Sequence, residues 1–462
     1  MNCRPLSARL PALFGAFLLT VMAAPAIAQD ALPAAVQQAL RQADLPADAL
    51  AAVALPLSGS PWLRPWQHRA QVPMQPASTM KLLTSIVALD RLGPNHRGHT
   101  ELRSAAPLAG GALQGDLVLK GGADPELGVP QFWALLLDLR QAGVTHIAGN
   151  LLVDRSLFRP ARFDQGLPPF DESPEFGYNV IPDALLLAGN LLPLEIRATE
   201  TGVTASTVPA LPGLEITSRM TLSQRACSNW DDDWKPARVA QQAGLTQIEL
   251  NGAFPRGCTQ RTALQLIDRQ ELTERLFRTL WQGLGGTWAG RALEQAAPAG
   301  TRVLARRQSR PWGEVLRHLN KTSDNALTRL LFLELGVPAM ASDPQATTRE
   351  LADRAVRQWL AQHGIADAGL VLDNGSGLSR SERITPWQLA SMLRVAHAGR
   401  FAAELAMSLP VAGVDGGLRR RLADSPAAGW ARLKSGTLRN VVALAGYVAL
   451  MRWTIRRAGP AA

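Results

Sequence analysis

The apolar pattern changes character twice along the chain, and that change limits the folds open to it. Helical periodicity governs both ends: residues 31–43 and Ser78 to about Leu92 first, then 311–319, 324–335, 345–363 and 385–399. From about 101 to 305 the texture differs. Short apolar runs such as "DLVLKGGADPEL", "IAGNLLVDRSLF", "GLEITSR" and "IELNGAF" alternate with Gly, Pro, Asn and Asp, as strands and turns do. Helical pieces at 130–141 and 269–284 interrupt them, and a strand-like "VVALAGYVAL" follows the last helix. The expectation is an α/β (α+β) domain built from 29–100 and 306–462, interrupted by a β-rich insertion at 101–305 of two nested units. A length of 462 residues also exceeds what a single core holds.

Residues 1–28 stand apart. Arg4 and Arg9 precede the apolar run "LPALFGAFLLTVMAAPAIA", which ends in Ala26-Ile27-Ala28 before a polar "QDALP". This is the form of a cleaved secretory signal, and its apolar core is short for a membrane anchor. The sequence therefore predicts an exported, periplasmic protein with no transmembrane anchor. Beyond Cys3 the chain keeps only Cys227 and Cys258. In an oxidising compartment such a pair most often forms one disulfide, with two free thiols as the alternative. No CxxC or HExxH points to a metal. Losing Arg4 and Arg9 with residues 1–28 lowers the formal charge from +10 to +8, which suits an anionic wall polymer, with codon bias toward arginine, alanine and proline as the alternative; no basic cluster interleaved with aromatics supports nucleic acid binding.

Lysine is scarce, with five against 43 arginines, and one of the five follows Ser78 by three residues in "PASTMKLL". On a helix that spacing sets Ser78 beside Lys81. A serine hydroxyl needs an adjacent base to become a nucleophile, and a lysine of depressed pKa can be one. Arginine cannot, because it keeps its proton. By itself the pair is also what a capping serine would give. A second stretch, "NKTSDNALTRLL", places Ser323 and Asn325 on an expected turn between helices, where Ser323 could relay a proton and Asn325 hydrogen-bond an amide. A plain cap at Ser323 or Asp324 is the alternative. A third, "ARLKSGTLRNVVALAGYV", sets Lys434, Ser435, Gly436 and Thr437 at the start of a strand, where glycine admits another backbone.

In this order the three motifs resemble the signature of the penicillin-recognising serine enzymes. Ser78 and Ser323 lie 245 residues apart, far more than a β-lactamase allows. Together with "GDLVLKGGADPEL", "DNGSGLSRSERITP" and "KSGTLRNVVALAGYV", the chain resembles the low-molecular-mass class C penicillin-binding proteins, the D-alanyl-D-alanine carboxypeptidase/endopeptidases of the penicillin-binding protein 4 type. The resemblance implies Ser78 as nucleophile, Lys81 as base, Ser323 as proton relay to the leaving amine and Asn325 as a substrate ligand. It implies Lys434 as a source of positive potential, Ser435 and Thr437 as ligands of the terminal carboxylate, and the Ser78 and Thr437 N–H groups as the oxyanion hole. Asp154, in "LLVDRSLF", matches a region that contacts the amine end of a stem peptide. The implied substrates are peptidoglycan stem peptides ending in D-Ala-D-Ala and cross-linked muropeptides, with β-lactams as covalent inhibitors and no cofactor. After "LAGYVAL" the chain runs "MRWTIRRAGPAA" with no clear turn, which keeps a poorly active or non-catalytic wall-binding protein open as an alternative. A β-lactamase or serine esterase is the third reading, disfavoured by the long insertion and the lack of GxSxG.

Overall fold

The structure is a computed structural model that describes residues 31–57, 64–242 and 244–449. The expected signal segment and the stretch after Ala449 lie outside them. A helix at Lys81–Arg91 forms the axis of the first core. Residues 81–89 are all buried, so this helix is enclosed on every side rather than only along the apolar stripe that its periodicity suggests. Its polar members find partners: Thr84 Oγ1 donates to the Gly375 carbonyl at 2.7 Å, and Ser85 Oγ accepts from Asn320 at 3.2 Å. Helices Trp312–Thr322, Asn325–Glu334, Thr348–Gln362 and Pro386–Ala398 surround it, and Leu83, Leu316, Leu330, Phe332, Trp359 and Met392 fill the space between them.

Two hairpins rest on helix Pro386–Ala398. One pairs Ala52–Ala54 with Trp66–His68, the other Arg432–Leu438 with Val441–Tyr447, both antiparallel. The second hairpin turns at Asn440, whose φ is 63°. Among the described residues, strand Val441–Tyr447 has no strand on its other edge, and Val442 is 72% exposed.

The chain enters and leaves the region between these two parts on neighbouring strands, since His99–Ser104 pairs antiparallel with Arg302–Gln308. These strands belong to a five-stranded sheet completed by Leu117–Gly122, Leu151–Asp154 and Ala292–Glu294. Helix Val129–Gln141 supplies the crossover that the parallel pair Leu117–Gly122 and Leu151–Asp154 requires. It meets helix Arg269–Gly283 in a second core around Phe132, Leu136, Phe277 and Trp281. Beyond it lie a three-stranded sheet centred on Leu192–Ala198 and a four-stranded one centred on Leu245–Pro255. Cys227 and Cys258 form a disulfide beside them.

One segment of this region returns to the first core. Phe158, Val180, Ala184 and Leu186 belong to the same apolar cluster as Met80 and Leu83. Ion pairs anchor its base: Asp183, fully buried, accepts from Arg155 at 3.0 Å and from Arg269 at 2.8 Å. Burying three charges is favourable only when each is paired, so this knot holds the segment in one place.

At the neck joining the two parts, buried Glu334 accepts from His96 Nε2 and, at 2.9 Å, from Trp312 Nε1. The hydrogen bond to Glu334 lifts the His96 pKa, and burial lifts that of Glu334. Both groups hold their protons to higher pH in the folded chain than in the unfolded one, so stability falls as pH rises through the folded-state values. Thermal melts across about pH 5 to 9 should show that fall in the wild type and a flatter profile in Glu334→Gln, which removes the Glu334 titration and the carboxylate that lifts the His96 pKa. Parallel curves for the two proteins would count against this account.

Candidate active site

Ser78 opens the site at a point of backbone constraint. It lies in a 3₁₀ turn, Ala77–Met80, that leads directly into helix Lys81–Arg91. No side-chain cap bond is made there, so Ser78 is not the helix cap that its position suggests. A 3₁₀ turn has three residues per revolution, which eclipses positions 78 and 81. Ala77, just before the serine, has φ 46°, a left-handed conformation that costs a non-glycine residue strain.

The Lys81 amine is wholly buried. Its Nζ lies 3.1 Å from Ser78 Oγ, 2.6 Å from Asn325 Oδ1 and 2.5 Å from the Ser376 carbonyl oxygen. Burial, and next the Lys434 charge, push its pKa well below that of an ordinary lysine.

The turn between helices Trp312–Thr322 and Asn325–Glu334 supplies Ser323 and Asn325. Ser323 takes φ 62°, which reverses the chain, and Asp324 caps the second helix by accepting from the Leu327 N–H. Helix capping thus falls to Asp324 and leaves both neighbours to the cleft. Asn325 spans two parts of the fold: its Oδ1 accepts from Lys81, and its Nδ2 donates to the Tyr178 carbonyl at 2.9 Å.

Strand Arg432–Leu438 closes the third side. Lys434 Nζ donates to Ser323 Oγ at 3.0 Å and to the Ser435 carbonyl at 2.8 Å, and burial brings its pKa down to about 8. A β-carbon on Gly436 would come within 2.8 Å of both the Pro76 oxygen and the Ser78 nitrogen. Glycine is what lets this strand reach the serine. Gly377 meets the same backbone from another direction: its φ is +82°, and a β-carbon there would stand 1.8 Å from the Ala77 oxygen.

Ser78, Ser323, Asn325 and Thr437 line one cavity of about 410 Å³, with Lys81 and Lys434 buried at its floor. Ser435 does not line it; its Oγ lies against Gly417, where an added β-carbon would come within 2.9 Å. Asp154 stands elsewhere. It is 1% exposed on strand Leu151–Asp154, accepts from the Ser156 and Ala297 N–H groups and faces Lys120 at 3.8 Å. A carboxylate enclosed in this way fastens backbone and cannot reach a substrate in the cleft, which corrects the expectation placed on it.

The cleft carboxylates are instead Asp171 and Glu172, on the segment that returns from the second core. Asp171 accepts from Tyr178 Oη at 2.9 Å and from Asn179 Nδ2 at 3.0 Å. Glu172 faces Arg439 at 3.8 Å, and Arg380 lies over the Phe170 ring at 4.8 Å. Sequence reasoning assigned none of these a role. The signal available was an acidic, aromatic loop, "PFDESPEFGYN", with no regular period. A larger hollow of about 650 Å³ near Thr246 and Arg275 has neither serine nor lysine in its lining.

The sequence pattern of the family described as D-Ala-D-Ala carboxypeptidase 3 (S13) matches residues 32–457. The D-alanyl-D-alanine carboxypeptidase of Actinomadura sp. (strain R39) is 30% identical over 391 residues, covering 81% of this chain and 70% of that protein. The D-alanyl-D-alanine carboxypeptidase DacB of Haemophilus influenzae is 26% identical over 394 residues, covering 81% and 77%. The crystal structure of penicillin binding protein 4 (dacB) from Haemophilus influenzae superposes with a TM-score of 0.69 at 25% identity over 83% of each chain. The penicillin-recognising serine-enzyme fold is thus shared, and the chain belongs to the D-Ala-D-Ala carboxypeptidase 3 (S13) family.

Proposed function

We propose that the chain acts as a serine D,D-carboxypeptidase and D,D-endopeptidase in which Ser78 is the nucleophile and Lys81 its base. The observation that carries this is the surroundings of one amine. A neutral lysine has two N–H bonds and one lone pair. The Asn325 and Ser376 oxygens take the two N–H bonds, so the lone pair faces the Ser78 hydroxyl. Lys81 accepts the Ser78 proton as Oγ attacks the carbonyl carbon before a terminal D-alanine. The Ser78 and Thr437 N–H groups receive the developing oxyanion. Ser323, bonded to Lys434, passes a proton to the leaving amine. D-alanine departs, and water then attacks the ester on Ser78. When the leaving amine belongs to a second stem peptide, the same steps cleave a cross-link.

Within this scheme Thr437 and the Lys434 charge hold the terminal carboxylate, with Ser435 and Gly436 shaping the strand beneath, and Asn325 orients the substrate amide. Asp171 and Glu172 at the mouth suit an amine farther along the stem peptide, the role first given to Asp154. A β-lactam enters by the same attack and stays as an acyl-enzyme. The scheme calls on no metal or organic cofactor. The setting proposed is the periplasm, reached through the signal segment at 1–28. Residues 29–100 and 306–462 form the catalytic unit and 101–305 the insertion, a division supported by the two apolar cores.

Purified protein should take a covalent label from a fluorescent β-lactam, and Ser78→Ala should take none. An unlabelled wild type would sink the proposal. Rapid turnover of the β-lactam itself would point to a lactamase. Lys81→Arg keeps the charge but removes the base, so acylation should fall by roughly 10²–10⁴-fold. Released D-alanine from a pentapeptide, against cleavage of a cross-linked muropeptide, weighs the two peptidase activities. Because Lys434 must be charged to draw in a carboxylate, kcat/KM for the pentapeptide should decline as pH rises past about 8.

A further inference from the structure

Among the buried acids that the catalytic scheme does not use, Glu382 lies nearest the loop that holds the Lys81 amine. Glu382 is 0% exposed and lies in "DNGSGLSRSERITP", just past the loop 373–377. Both of its oxygens are taken up by backbone. Oε1 accepts from the N–H groups of Asp373, Asn374 and Gly375 at 3.3, 3.0 and 2.7 Å, and Oε2 accepts from Gly377 at 2.8 Å. The loop therefore turns N–H groups toward Glu382. Two of its carbonyls face the nucleophile helix: Gly375 to Thr84 Oγ1 and Ser376 to Lys81 Nζ.

One peptide group joins the two sides. The Gly377 N–H and the Ser376 C=O are the two ends of the same planar amide. Its N–H is held by Glu382 and its oxygen by Lys81. A hydrogen bond at one end of an amide polarises the other, so the carboxylate strengthens the acceptor on which the amine rests. Gly377 also carries the close contact with Ala77, next to the nucleophile.

From this arrangement we propose that Glu382 is a positioning residue for acylation: through the Ser376–Gly377 peptide it fixes the Lys81 amine against Ser78 and supplies the negative charge that offsets the cations around it. Those cations are Lys434 on the strand and Arg329 on the helix after Ser323, with Asp324 the other carboxylate that bears on Lys81. Burial raises the Glu382 pKa, the N–H groups of Gly375, Asn374 and Asp373 oppose that rise by holding the carboxylate, and Asp373 is the charged carboxylate that bears on it. Glu382 favours the protonated form of Lys81, so losing its charge makes the free amine available at lower pH.

The inference rests on the Ser78–Lys81 chemistry proposed above. The test is the rate of acylation by a fluorescent penicillin as a function of pH, with a thermal melt for each variant. Glu382→Gln sets an NH₂ group against backbone N–H donors, and a shift of about 1 Å in a reacting group can cost about 100-fold. The expected result is a fall of roughly ten- to hundredfold, with the acidic limb of the profile moved to lower pH. Glu382→Asp keeps the charge, and should recover part of the rate with the limb where the wild type has it. Wild-type rate and profile in Glu382→Gln overturn the inference, as does a slower rate with an unmoved limb, which marks packing alone. If Glu382→Gln does not fold, Glu382→Asp decides. A fall of about tenfold in the limiting acylation rate with half-saturation by the penicillin unchanged supports the inference, and a limiting rate within about twofold of wild type, or a loss shared with half-saturation, overturns it. A wild type that takes no label at all defeats the earlier proposal instead.

Discussion

A lysine amine shut away from water is the constraint around which this fold is arranged. An isolated buried ammonium is costly, and the usual escape is to give up the proton. Here the escape is useful. Lys81 keeps enough acceptors to be held in either state, from Ser78, Asn325 and Ser376. Those acceptors come from three separate stretches of chain. Helix Lys81–Arg91 can be enclosed on every side only because its polar groups are answered in this way. Lys81 thus ties the helical core to the chemistry at its edge.

The second constraint is approach. Strand Arg432–Leu438 and the loop 373–377 both come up against the backbone at 76–78. Neither could do so with a side chain at Gly436 or Gly377. Ala77 and Ser323 add left-handed backbone at the nucleophile and at the inter-helix turn. Strain of this kind persists only where surrounding contacts over-determine it. The buried helix, the Asp324 cap and the Glu382 carboxylate are those contacts. Lys434 completes the arrangement from the strand side, its amine on Ser323 and its burial lowering its own proton affinity.

Local rules made much of this legible. The three-residue spacing of Ser78 and Lys81 places them together in a 3₁₀ turn as well as in an α-helix. The turn at Ser323 shows in the break between two helical periods, and Gly436 in its place on a strand. What stayed hidden depends on contacts distant in sequence. Asp154 carries its carboxylate in a stretch that resembles the right region, yet strand pairing buries it against Lys120 and backbone N–H groups. The cleft loop at 170–178 has no period to read. It is set in place by Val180 and Asp183 just past its end and, from farther away in the chain, by Phe158, Arg155 and Arg269. Glu382 reads as one more polar residue in a Ser-rich turn until the loop folds over it.

The amide of Asn325 ties the region between the two helical parts to the Lys81 amine. One end of that amide holds the Lys81 amine and the other holds the Tyr178 carbonyl of the inserted segment. Arg329, one turn further along the same helix, donates to the Asn179 and Val180 carbonyls and also to Leu378, in the stretch between the 373–377 loop and Glu382. The wall of the cleft and the base at its floor are therefore both hydrogen-bonded to one helix, Asn325–Glu334. A displacement of the inserted segment therefore bears on Asn325 as well as on the cleft lining that the segment itself supplies. Conversely, a substrate that presses on Asp171 or Glu172 acts on a loop whose backbone is bonded to the group that orients the base. In the scheme proposed above, selection of the stem peptide at the mouth and activation of Ser78 at the floor are linked by Asn325 and Arg329, one turn apart on a single helix.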